Sequence, residues 1–164
     1  MHEPVTVDEL KSLAFLTAAT DDELQALRPS VRREQYPAGT MLFREGDHLD
    51  RVFIVADGLV ALEIRGPDHR PRRFQTLGRG ELLGWSPLLG SSAMTASARA
   101  VTDVTVVAID ARGLLALCES DPRFGYHFMK RTVATLAARL NATRLQLLDV
   151  YRAELAPLAT ADEE

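Results

Sequence analysis

The groups best suited to meet a small ligand are gathered in one stretch, Gly80 to Ala100, reading GELLGWSPLLGSSAMTASARA. Its glycines, Ser86, Ser91, Ser92 and Thr95 offer backbone N–H and hydroxyl groups, which serve a polar ligand as donors and acceptors. Glu81 adds a carboxylate, Arg99 a guanidinium, and Trp85 a planar ring with a single N–H donor. The remaining residues of the stretch carry no charge. Gly90-Ser91-Ser92 reads as a flexible turn rather than a phosphate cradle.

Other chemistry finds little footing. His2, His48, His69 and His127 are too scattered for a metal motif. No G-x-S-x-G nucleophile elbow occurs, and Gly78-Arg79-Gly80 lacks the third glycine of a dinucleotide fingerprint. The single cysteine, Cys118, forms no internal disulfide and holds no iron–sulfur cluster. Within LLALC it reads as a small buried hydrophobe in a reducing compartment. A non-enzymatic protein is therefore expected. The net charge of -4 gives no electrostatic case for a nucleic-acid or membrane surface. There is no signal-peptide pattern and no apolar run near the roughly 20 residues that span a bilayer. A cytoplasmic, single-domain protein is expected.

The elements that must position the stretch follow from periodicity. Val7, Leu10, Leu13 and Ala14 share a helical face with Thr6 as N-cap, and Thr20 with Glu23 has the spacing of a capping box. From Val31 the pattern becomes extended: VRREQY, a Pro37-Ala38-Gly39 turn, Thr40–Phe43, a Glu45-Gly46-Asp47 turn, then Arg51–Ala56. Asp57-Gly58 predicts a hairpin into LVALEIR, followed by a polar loop over 66–71 and by RRFQTL, TASARAV and VTVVAID. Many short strands broken by Gly and Pro predict an α+β, mainly β fold. Its body is an antiparallel jelly roll or β-barrel, flanked by short N-terminal helices and a long C-terminal helix.

Helical spacing returns at Asp110, and Asp121-Pro122 predicts an N-cap with Pro at the first helical position. The long helix is expected over about 123–151, within a domain of residues 1–152, with 153–164 a loose, disordered tail. Along it, Met129, Val133, Leu136, Leu140, Thr143, Leu147 and Val150 alternate steps of four and three, a heptad seam with one polar member. Such a seam packs on its own barrel or on a second copy, and the helix is long for the former. A homodimer is expected.

Phe43, Gly46-Asp47, Asp50, Phe53-Ile54-Val55, Gly58, Val60, Leu77, Gly80, Gly84, Ala96, Ala100 and Asp110, in this order of elements, resemble the cyclic-nucleotide-binding domain. The likeness is to the sensor half of the Crp/Fnr regulators, and AARLNATRLQLLDV is similar to the long central helix of that family. It covers roughly residues 10–152. In the family, a glutamate binds the ribose hydroxyl, and an arginine with backbone N–H groups of a short helix binds the cyclic phosphate. The resemblance aligns Glu81 with a turn acid, Trp85 with the ribose-binding glutamate and Met94 with the phosphate-binding arginine. Thr95 falls beside that arginine position, and Thr143 where some members have a threonine that reaches the base.

The resemblance thus implies a candidate pocket of Leu83, Gly84, Trp85, Ser86, Met94, Thr95, Arg99, Thr143 and Arg144. Both charged ligand residues are replaced, so ordinary cyclic AMP binding is expected to be weakened or lost. Trp85 either plugs the cavity or stacks on a different planar ligand. Three functions follow: a sensor or regulatory module taking a cyclic nucleotide or another small ligand; a ligand-free interaction or accessory subunit of another protein, with redox enzymes among the candidate partners; or a cyclic-nucleotide binder with a cassette rearranged around Arg99 or Arg144. The family's transcription factors carry a helix-turn-helix domain after the long helix. Only about a dozen residues follow Tyr151 here. No direct DNA binding by this chain is expected, and a piece of a longer regulator is the alternative.

Overall fold

The computed structural model describes residues 4–90 and 93–159. The chain forms two compact units, Met1–Thr132 and Val133–Glu164.

The first unit begins with α1 (Val7–Ser12) and α2 (Asp21–Leu27). Each starts on a complete capping box. Thr6 accepts from Glu9 N–H at 3.2 Å, and Thr20 from Glu23 N–H at 3.3 Å. Each glutamate returns the bond by accepting from the threonine N–H, at 3.0 and 2.7 Å. These bonds satisfy donors that a short helix otherwise leaves orphaned. Because α2 sends Leu24 and Leu27 into the core, its cap is tied to global stability. Thr20→Ala is expected to destabilise the protein by about 1 kcal/mol, read as a lower urea midpoint with unchanged slope.

Eight strands follow: β1 (Val31–Tyr36), β2 (Met41–Phe43), β3 (Arg51–Asp57), β4 (Val60–Arg65), β5 (Pro71–Leu77), β6 (Leu82–Leu83), β7 (Ser97–Ala100) and β8 (Val104–Asp110). They make two antiparallel four-stranded sheets, ordered β1-β8-β3-β6 and β2-β7-β4-β5. The inter-sheet core holds Phe43, Phe53, Val55, Val60, Leu62, Leu83, Met94, Ala98 and Val106. The opposite face of the first sheet sends Val52, Ile54, Val107 and Ile109 into a second core. There they meet Leu10, Leu24, Leu114, Phe124 and Phe128 from the helices. Both faces of β3 and β8 are covered, which is why FIVA and VVAI read as unbroken apolar runs rather than alternating ones.

One turn differs from expectation. β3 and β4 do not pair; Asp57-Gly58 carries the chain from one sheet to the other. β3 already has β8 and β6 as its two neighbours, so no edge is left for a hairpin partner. Gly58 takes φ +88°, and a Cβ there would lie 2.3 Å from the Asp103 carbonyl oxygen. The corner therefore requires glycine for space as well as for backbone conformation. The true hairpin is β4–β5 across the loop at 66–70.

After β8 come α3 (Ala111–Ser120), capped by Asp110 accepting from Gly113 N–H at 3.1 Å, and α4 (Pro122–Ala159). Asp121 accepts from Arg123 N–H at 3.0 Å, the expected cap for a helix with Pro at its first position. The first part of α4 buries Phe124 and Phe128 in the helical core. The second unit is the remainder of that helix, and it continues past Tyr151 to Ala159. Its last turns run through AELAPLA, Pro157 included, in the segment expected to be loose; residues 160–164 lie outside the described residues. Val133, Leu140, Leu147 and Val150 are 64, 53, 54 and 54% exposed, and Leu145, Leu148 and Tyr151 are exposed as well. Among the described residues no helix is long and apolar enough to cross a membrane.

Candidate functional site

The Gly80–Ala100 stretch leaves β5 through a tight turn. Glu81 accepts from Gly78 N–H at 2.7 Å, while Gly80 N–H and the Glu81 carbonyl bond to Val55 at 2.8 and 3.0 Å. Glu81 is therefore a turn residue, consistent with its alignment. β6 then sends Leu83 into the inter-sheet core and Leu82 to the helical one. Gly84 has φ +68°, and a Cβ on it would come within 3.0 Å of the Phe53 ring. No side chain larger than hydrogen fits there without moving Phe53.

Trp85 introduces one turn of 3₁₀ helix, Ser86–Leu89, which ends at Gly90 with φ +76°. The half-buried indole packs against the helical core rather than the inter-sheet core. Ser86 is buried. Pro87 lacks a backbone N–H, so this turn presents one donor fewer than a helix start ordinarily does. That loss was legible in the sequence and bears on any anion at this position. Ser91 and Ser92 lie outside the described residues.

Met94 is 3% exposed and belongs to the same buried cluster as Phe43, Phe53, Leu83 and Ala98. Its backbone is held on both sides: its N–H donates to the Asp47 carbonyl at 2.9 Å, and its carbonyl accepts from Gly46 N–H at 2.8 Å. Thr95 is exposed.

Arg99 lies on β7, the strand after the loop. Its neighbours Ala98 and Ala100 point into the inter-sheet core, so the strand alternation sends Arg99 to the opposite face of the second sheet. There Nε lies 3.2 and 3.4 Å from the Glu63 carboxylate oxygens, and Nη1 donates to the Gly39 carbonyl at 3.1 Å. Glu63 is 8% exposed, so this pair is a bolt across β7, β4 and the turn before β2. The guanidinium is committed away from the barrel interior. Thr143 and Arg144 lie in the second unit, where the Thr143 hydroxyl donates to the Arg139 carbonyl at 2.9 Å.

A polar set on the other side of the barrel was not singled out from the sequence. In VRREQY, Arg32, Glu34 and Tyr36 stand opposite Ala108, Val106 and Val104, all inter-sheet core residues. They therefore share the inner face, a period-two signal that could have exposed them. Tyr36 donates to Glu34 at 2.5 Å, and Arg51 lies 3.4 Å from the same carboxylate. Burial, together with the Glu34 carboxylate, holds the Tyr36 phenol well above its usual range. Among the described residues no cluster of His, Cys, Asp and Glu could hold a metal ion.

Two facing antiparallel sheets, a corner at Asp57-Gly58, a one-turn helix after Gly84 and a long terminal helix define a jelly-roll architecture. The model of the cyclic nucleotide-binding domain matches residues 33–121, and the chain belongs to that family. It is 27% identical over 145 residues to a CRP-like cAMP-activated global transcriptional regulator of Mycobacterium tuberculosis, covering 88% of this chain and 63% of the relative. It is 34% identical over 138 residues to the cyclic AMP receptor protein of Thermus thermophilus, covering 84% and 62%. The chain thus spans less than two thirds of the length of these relatives. A cyclic nucleotide-binding domain from Methylobacillus flagellatus has the same fold, with TM-score 0.77 and 17% identity over 91% of this chain and 88% of that one.

Proposed function

We propose that this regulatory module has lost ordinary cyclic AMP binding and acts as a homodimer through α4, sensing another small ligand or a protein partner. The observation that carries this reading is Met94, an apolar side chain buried where the family resemblance calls for the phosphate-binding arginine. A phosphate placed there meets Phe43 and Phe53 instead of a bidentate cation. Trp85, at the ribose-binding position, accepts no hydrogen bond and is turned toward the helical core. Arg99 is occupied by Glu63, which weighs against the rearranged cassette in its Arg99 form. Each lost contact is expected to cost on the order of 2 kcal/mol, so the two together weaken affinity by about a thousandfold.

Because the Mycobacterium tuberculosis relative is cAMP-activated, cyclic AMP is the decisive ligand to try. Titration calorimetry of the full chain with cyclic AMP and cyclic GMP is expected to give no saturable heat at micromolar concentrations. A micromolar Kd for either nucleotide overturns the reading. The packing of Trp85 and Met94 into the two cores also favours the second reading, a ligand-free interaction subunit. A thermal-shift panel of metabolites that moves the melting point separates the sensor from that subunit. The chain's function in either case is regulatory and non-catalytic.

A further inference from the structure

Asp50 and Asp110 line a cavity that reaches Pro87 and Gly90 of the cassette, and they also line a second one on the β1 side of the barrel. In the first sheet β1 and β6 are opposite edges, with β8 and β3 between them. A cavity of about 280 Å³ opens there, lined by Ser30, Arg32, Asp50, Arg51, Ala108 and Asp110 among others. The register explains it. Arg32 and Phe53 flank Ala108, and Arg51 pairs with Asp110 one row further on. Ala108 is small where its neighbours are long, and the missing side-chain volume is the floor of the cavity.

Arg51 is oriented for use. Its guanidinium lies 5.6 Å from the Phe53 ring centroid and 3.4 Å from Glu34, which Tyr36 in turn holds. Yet Arg51 Nε is buried without a hydrogen-bond partner, a donor for which the protein supplies no acceptor. The lining brings two guanidiniums, Arg32 and Arg51, against two carboxylates, Asp50 and Asp110. A simple anion meets repulsion from the acids, and a simple cation meets repulsion from the arginines. A molecule carrying one charge of each sign satisfies both pairs. The volume lies just below that of drug-sized pockets, which suits a molecule of amino-acid size.

We propose that this cavity binds a small zwitterion, with its carboxylate on Arg32 and Arg51 and its ammonium on Asp50 and Asp110. Binding here does not depend on the fate of cyclic AMP in the cassette. The test is a two-dimensional NMR titration of the full chain with L-alanine, with propionate and ethylamine as single-charge controls. Alanine is expected to shift the backbone amides of Ser30, Arg32, Arg51 and Asp110 saturably, with at least about tenfold higher affinity than either control. Arg32 and Asp50 are exposed, so Arg32→Ala and Asp50→Asn keep the fold and are each expected to weaken alanine about tenfold. Absence of shifts at these amides, equal affinity for propionate and alanine, or unchanged alanine affinity in both variants overturns the proposal.

Discussion

Met94→Arg is expected to destabilise the protein by roughly 3–5 kcal/mol and to leave cyclic AMP unbound. Under the proposed alignment the substitution restores the family's phosphate-binding residue, but the surroundings of Met94 are apolar. Met94 is 3% exposed among Phe43, Phe53, Leu83 and Ala98, none of which can pair with a guanidinium. Backbone bonds to Asp47 and Gly46 hold the residue in place, so the charge cannot reach water by a small movement of the chain. Trp85→Glu/Met94→Arg asks whether the ribose contact rescues the phosphate contact. Urea unfolding and calorimetry on both variants read the result. Full stability of the single variant with micromolar cyclic AMP binding would show that Met94 plugs a cassette that is otherwise intact, and would sink the proposed loss.

Leu140→Asp is expected to convert the protein from dimer to monomer with little change in the stability of the barrel. Val133, Leu140, Leu147 and Val150 repeat along α4 at heptad spacing and are each more than half exposed in the single chain. A helix reaching Ala159 with that much apolar surface in water is not held by propensity alone; helical segments of this kind draw their stability from packing. Burying a leucine side chain contributes about 2 kcal/mol. A twofold seam loses two such contacts and sets two carboxylates near each other, raising the dimer dissociation constant by about a thousandfold or more. Because Leu140 is 53% exposed in one chain, the same substitution removes little from the monomer. Sedimentation equilibrium measures both proteins. A wild-type monomer at tens of micromolar, or a dimer that survives the substitution, counts against the seam.

Much of this protein was legible before any coordinate. The capping boxes at Thr6 and Thr20, the Asp121-Pro122 helix start and the turn acid Glu81 rest on bonds between residues two or three apart. Such local chemistry is set by the sequence within one turn of chain. The β-rich body between helices was equally visible in residue type and spacing. The helix end was less so: Tyr151 closes the heptad pattern, but the helix runs on through Pro157 to Ala159.

The candidate ligand stretch divides along the same line. Sequence alone determined which groups Gly80–Ala100 contains, and the family resemblance proposes Met94 and Trp85 for the phosphate and ribose positions. Tertiary structure decided where they point. It turned Arg99 outward onto Glu63, sent Trp85 to the helical core and Met94 to the inter-sheet core. It made Asp57-Gly58 a corner between sheets, and set Arg32, Glu34 and Tyr36 on the inner face beside Arg51. The physical reason is register. A strand side chain takes one face or the other according to partners dozens of residues away, and a shift of one residue exchanges every face at once.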